Sequence, residues 1–325
     1  MRRTFAAALL VVLTACHGSP QAAPATTSSS TTSGIGTSSR FLTWRRGPEM
    51  PVAVSEVGVA ALDHDVHVVG GYVGGRPHST THLVFDTRTN TWRTAAPLPV
   101  ALDHVGAAAI GGVLYAAGGY GTHGGPTDAL YAYDAARDVW SSRTPLPSAR
   151  AAAVVVALGG KLHVIGGIGL GGDVAEHDVY DPTTNAWTSA APLATARDHA
   201  AGAVVDGKIY VSAGRPGSLA STEIYDPATN RWTIGPPLPT PRSSVAGAAV
   251  GSEFVVIGGE DAHERAVFRV VDVLPDGGSA WGAFATLPEG RQGIGAAVVD
   301  GKLYLPGGAP SGGGSQQSRE MFILA

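Results

Sequence analysis

The six tryptophans of this chain fall at Trp44, Trp92, Trp140, Trp187, Trp232 and Trp281, at successive spacings of 48, 48, 47, 45 and 49 residues. A second marker keeps the same period. A small residue followed by glycine recurs at Gly70-Gly71, Gly118-Gly119, Gly166-Gly167, Ala213-Gly214, Gly258-Gly259 and Gly307-Gly308. Two independent markers on one period mean an array of similar supersecondary units, each burying its faces against its neighbours.

Each unit has the same internal order. A Pro-Leu-Pro-like turn precedes an apolar run such as Ala200 to Val205, and a tight turn at Asp206-Gly207 leads into a second run, Lys208 to Ser212. After the small-Gly pair and a variable loop, a third run ends in Tyr225-Asp226, and a turn with Asn230 leads to the Trp-bearing fourth run. The runs are short, rich in β-branched residues and bounded by Gly, Pro, Asn and Asp, which is the signature of strands and tight turns. Four strands in each of six units predict an antiparallel all-β protein.

The double glycine, the Tyr-Asp pair six residues before Trp and that Trp resemble the kelch repeat. Tyr133-Asp134, Tyr180-Asp181, Tyr225-Asp226 and Phe85-Asp86 keep that offset, whereas Val271-Asp272 stands nine residues before Trp281, so the fifth unit has a longer turn. The resemblance covers nearly all of residues 41–325 and implies a six-bladed kelch-type β-propeller. Its ends predict how the ring closes. The chain enters on a lone Trp strand, Phe41 to Arg46, and stops at Met321 to Ala325 after a third strand. The last blade should be completed by the N-terminal strand, since otherwise two strand edges stay unpaired. The glycines, tryptophans and turn Asp/Asn residues are read as packing positions because they repeat.

The first 40 residues have a different character. Arg2 and Arg3 precede an apolar run, Phe5 to Leu13, that is too short to span a bilayer, and Leu13-Thr14-Ala15-Cys16 follows. This layout is that of a secretory signal and resembles the lipobox of bacterial lipoproteins, which implies lipidation of Cys16, the sole cysteine. The expected organisation is a signal peptide over 1–15, a lipidated Ser/Thr-rich tether over 16–40 and the propeller over 41–325, anchored outside the cytoplasm on a bacterial membrane. Loss of Arg2 and Arg3 takes the formal charge from −4 to −6, which disfavours nucleic acid as a partner.

Sites in a propeller are expected at the mouth of the central channel. The position 16 residues before each small-Gly pair carries Val54, Leu102, Arg150, Arg197, Arg242 and Arg291; two residues later stand Glu56, His104, Ala152, His199, Ser244 and Gly293. Between them lie Asp103 and Asp198, which make an Asp-His pair in blades two and four. The four arginines, with Asp103 and Asp198, are the candidate ligand contacts, because guanidinium forks suit carboxylates. His199, His104 and Glu56 are candidate acid–base groups. The loops after each second strand add Tyr72, Tyr120, Asp173, Arg215, Glu260 and other polar residues.

Several chemistries are excluded or disfavoured. The copper-radical oxidases that share the kelch propeller need a Tyr–Cys crosslink, and no cysteine is available for it. There is no His-Glu-x-x-His motif and no phosphate-binding loop. Asp63-His64-Asp65-Val66-His67 resembles a metal cluster, but strand alternation separates its members. No cofactor and no metal are expected. The leading reading is an interaction module that binds a protein, a cell-wall polymer or a small molecule at its mouth. The alternative resembles the sialic-acid mutarotases, with the arginines holding an acidic sugar and His199 moving a proton.

Overall fold

The computed structural model describes residues 42–314 and 316–325. The expected signal peptide (1–15), the tether (16–40), the lipidation site Cys16 and the first residue of the predicted entry strand, Phe41, lie outside the described residues.

Six four-stranded antiparallel sheets are present among the described residues, and we call them blades I to VI in chain order. Blade IV shows the plan: Ala201–Val205, Lys208–Ser212, Thr222–Asp226 and Arg231–Gly235, innermost strand first. The innermost strand alternates between buried and half-buried residues, the second is almost wholly buried, and the fourth is mostly exposed. Second strands are covered on both faces by neighbouring blades, so after the turn residue they read as buried, largely apolar runs, as in Lys302–Pro306 beyond its exposed lysine. In blade V the long turn is accompanied by a register shift between Val271 and Asp272.

Blade VI consists of Ala297–Val299, Lys302–Pro306, Met321–Leu324 and, from the other end of the chain, Trp44–Arg46. Trp44 pairs with Leu324, Arg45 with Ile323 and Arg46 with Phe322, as closure by the N-terminal strand requires. A second closure lies at the axis. The amide of His104 donates to the carbonyl of Glu56 (2.9 Å), Ala152 to His104 (2.9 Å), His199 to Ala152 (3.0 Å), Ser244 to His199 (3.0 Å), Gly293 to Ser244 (3.1 Å) and Glu56 to Gly293 (2.8 Å). These six hydrogen bonds form an unbroken backbone collar, one residue per blade. Every collar residue has left-handed backbone, with φ between 50° and 58°. For the five that are not glycine this costs about 1–2 kcal/mol each, which the collar bonds offset.

The repeated residues join one blade to the next. Trp92, Trp140, Trp187, Trp232 and Trp281 each donate their indole N–H to a carbonyl at the end of the preceding blade, at 2.7–3.0 Å. Asp138, Asn185 and Asn230 accept from the tyrosine hydroxyl of their own blade and from a backbone amide of the blade before. The glycine pairs sit where two blades touch. The Gly119 amide donates to the carbonyl of Arg150 at 2.9 Å, and a Cβ on Gly118, whose φ is +65°, would lie 2.3 Å from that same oxygen.

Candidate functional site

The rim arginines are not where the sequence reading put them. Arg150, Arg197, Arg242 and Arg291 are at most 1% exposed, and each guanidinium is taken up inside its blade. Arg150 pairs with Asp178 and donates to the carbonyl of Glu176. Arg197 pairs with Glu223 at 2.8 Å and donates to the carbonyls of Ala213 and Ser221. Arg242 pairs with Asp272 at 2.9 Å and donates to the carbonyls of Gly258, Val256 and Thr240. Arg291 pairs with Glu289 and Glu320, both at 2.5 Å, and lies over the ring of Phe322. The expectation that they contact a ligand is therefore corrected, and the arginine-based acidic-sugar site loses its cation cluster. The cause is the collar. In a continuous strand, residues two apart share a face. The left-handed residue two positions after each arginine breaks that alternation, so the arginine enters its blade while the collar residue turns to the axis.

The collar residues do converge. Glu56, His104, Ala152, His199, Ser244 and Gly293 line a cavity of about 100 Å³ at the mouth, over a row of Val57, Val105, Ala153, Ala200, Val245 and Ile294. His104 and His199 stand edge to face with ring centroids 4.9 Å apart. Nε2 of His104 lies 3.3 Å from Oε2 of Glu56. Asp103 and Asp198 are almost fully buried. Rather than facing a ligand, each holds Nδ1 of the histidine that follows it, Asp103 at 2.6 Å. They are positioning residues, which corrects their assignment as ligand contacts.

Electrostatics separates the two imidazoles. Burial works against the charged form of His104, but Glu56 and then Asp103 outweigh it and raise its pKa. His199 is pushed down to about 3, by burial first and then by His104. Asp173, from the loop after the second strand of blade III, shares a hydrogen bond with Asp198 and is pushed up to about 7 by that bond, by burial and by the Asp198 charge. Tyr72 and Tyr120 stand beside His104, with ring centroids at 5.7 and 5.4 Å. Burial, followed by Asp103 and Glu56, raises Tyr72 to about 12, so it remains a hydroxyl.

Arg215 does come near the mouth, close enough to act on the charge of His104 and His199. It follows the Ala213-Gly214 pair directly and bonds Glu260 and Glu264, each at 2.8 Å. Counting back from the glycines could not single it out, since its place depends on how the loop folds. The Asp63–His67 segment is split as alternation requires: His64 faces outward to Asp300, while His67 is buried against His82.

These observations define a kelch-type β-propeller with a polar, axially closed mouth. A sequence profile described as the KLHDC2/KLHL20/DRC7 Kelch-repeats domain matches residues 56–259, and the chain belongs to the kelch-repeat family. Among solved structures, the one titled "Structure of YjhT" aligns with a TM-score of 0.74 over 85% of this chain and 95% of that one, at 19% identity, a likeness of fold. No curated protein matches the chain in sequence.

Proposed function

We propose that this protein is an exported, lipid-anchored kelch propeller that acts as a binding module, with a polyhydroxylated ligand such as a cell-wall glycan fragment resting on the collar. The observation that carries this reading is the mouth itself. Glu56, His104 and His199 offer hydrogen-bonding atoms at the floor of a cavity, and Tyr72 and Tyr120 stand beside them. Tyrosine presents an apolar ring and a polar tip, which suits the two faces of a sugar. The carboxylates of Glu56 and Asp103 at His104, and of Glu260 and Glu264 at Arg215, favour a neutral or cationic ligand over an acidic sugar.

The test is a thermal-shift titration with soluble wall glycan fragments. A ligand at a hundredfold its Kd adds about 2.7 kcal/mol. The wild type should melt higher, and Tyr120→Ala should lose the response while folding normally. A wild type that responds to no glycan, or a Tyr120→Ala variant that responds fully, contradicts the reading.

Anchoring is supported by the run from Arg2 to Cys16. In bacterial cells the full chain should partition with membranes and incorporate labelled fatty acid, and Cys16→Ala should abolish the label. Unlabelled wild-type protein recovered in the soluble fraction would contradict the anchor.

A further inference from the structure

We propose that Glu56, His104 and His199 together hold a divalent transition-metal ion of the zinc type on the propeller axis, with an open coordination position facing the mouth. The sequence alone points to no metal and offers these three residues, from blades I, II and IV, as acid–base candidates. The collar brings them together. One donor atom from each lies within 4.8 Å of the other two.

The hydrogen bonding of the two histidines is that of metal ligands. Each gives Nδ1 to the carboxylate of the residue before it, Asp103 or Asp198. That contact fixes Nδ1 as the protonated nitrogen and leaves Nε2 with a lone pair, the arrangement in which a carboxylate orients a metal-binding imidazole. Nε2 of His104 then faces Oε2 of Glu56 at 3.3 Å, acceptor against acceptor, which only a proton or a cation between them can satisfy. His199 decides between these. Its side chain is 8% exposed, it lines the cavity, and no hydrogen bond engages its Nε2 among the described residues. A proton on His104 leaves that nitrogen unused, whereas a metal ion uses all three donors.

The geometry and charge agree. Bonds of about 2.0–2.1 Å in a tetrahedral zinc site set its donors about 3.4 Å apart. The Glu56–His104 edge already has that length, and the His199 donor lies within 4.8 Å of both. Two nitrogens and one oxygen suit zinc and its neighbours better than calcium or magnesium. Arg215, the cation that acts on both histidines, is engaged by Glu260 and Glu264. The proposal rests on the collar alone and does not require that a glycan bind.

Calorimetric titration of chelator-treated, folded protein with zinc chloride alone tests it, alongside the visible spectrum of the cobalt(II)-loaded protein. The expected result is one ion per chain, a raised melting temperature and the intense visible bands of four-coordinate cobalt. His199→Ala and the near-isosteric Glu56→Gln should each weaken binding at least tenfold, Asp198→Asn by about 10–100-fold, and the exposed His64→Ala not at all. Circular dichroism of each variant in chelator confirms that it is folded. A folded wild type that takes up no stoichiometric zinc or cobalt overturns the proposal, as does undiminished uptake in both His199→Ala and Glu56→Gln. Glycan titrations of the chelator-treated protein report on the binding-module reading separately.

Discussion

Glu223→Ala is expected to destabilise the fold by about 3–5 kcal/mol, the cost of leaving a buried charge without its partner. Glu223 is fully buried, and it accepts from Arg197 at 2.8 Å and from the amides of Ala194 and Thr195. Removing it strands the Arg197 guanidinium and two backbone donors together. Arg242→Ala should act on the same scale, since it leaves Asp272 buried and opens space beside the Gly258 and Val256 carbonyls. Replacing both members of the first pair by apolar residues, as in Arg197→Met with Glu223→Leu, should recover part of the loss, because no charge is then left buried. Urea denaturation midpoints check all three. A Glu223→Ala protein with wild-type stability would return the arginines to the list of ligand contacts.

Stability should also fall steeply between pH 6.5 and pH 4. Two histidine pairs are buried between blades: His67 gives Nδ1 to His82 at 2.9 Å, and His163 gives Nδ1 to His177 at 2.8 Å. In each pair the second ring is tied at Nδ1 to a backbone carbonyl, Ala96 or Ala191, that also accepts a tryptophan indole. Burial holds His67 and His177 down to about 3, and His82 and His163 to about 4. Arg93 faces the first pair and reinforces the shift; Asp138 opposes it at His82. Lys161 and Arg150 act on the second pair in the same sense as Arg93. The sign follows from proton binding. Above pH 6.5 neither state is protonated at these sites, so their contribution is intact. Below it the unfolded chain takes up protons that the folded chain refuses, and each histidine lowers stability by about 1.4 kcal/mol per pH unit. The collar histidines shift in opposite directions and offset one another in sign. Urea midpoints at pH 7.5, 6.0 and 5.0 should drop in sequence, and His163→Asn should flatten the dependence. Equal midpoints at the three values would contradict the neutral-pair description.

Much of this architecture was legible in the sequence because each repeated residue has a job at a blade boundary. Tryptophan spacing gave the number of units, and the unpaired strand at each end gave the closure. Glycine pairs marked where one blade meets the next. The Asp-His pairs of blades II and IV were visible too, and both lie at the collar. What could not be read was direction. The left-handed backbone at positions 56, 104, 152, 199, 244 and 293 sends Arg150, Arg197, Arg242 and Arg291 into the blades, and only one of those six positions is the glycine that would announce it. Nor could linear distance reveal that Glu56, His104 and His199 share a few ångströms of space, since a ring brings together residues separated by whole blades. Arg215 was one polar loop residue among many until the loops were folded around the mouth.

The central claim is a division of labour between buried arginines that hold the blades and the collar with its flanking tyrosines, proposed above as the ligand-binding surface. Denaturation midpoint and glycan-induced thermal shift, measured side by side on Asp272→Asn and Tyr120→Ala, test it most directly. The account predicts a lowered midpoint with an intact glycan response for Asp272→Asn, and a near-wild-type midpoint with no glycan response for Tyr120→Ala. The opposite pattern, with Asp272→Asn stable but unresponsive and Tyr120→Ala fully responsive, would contradict it.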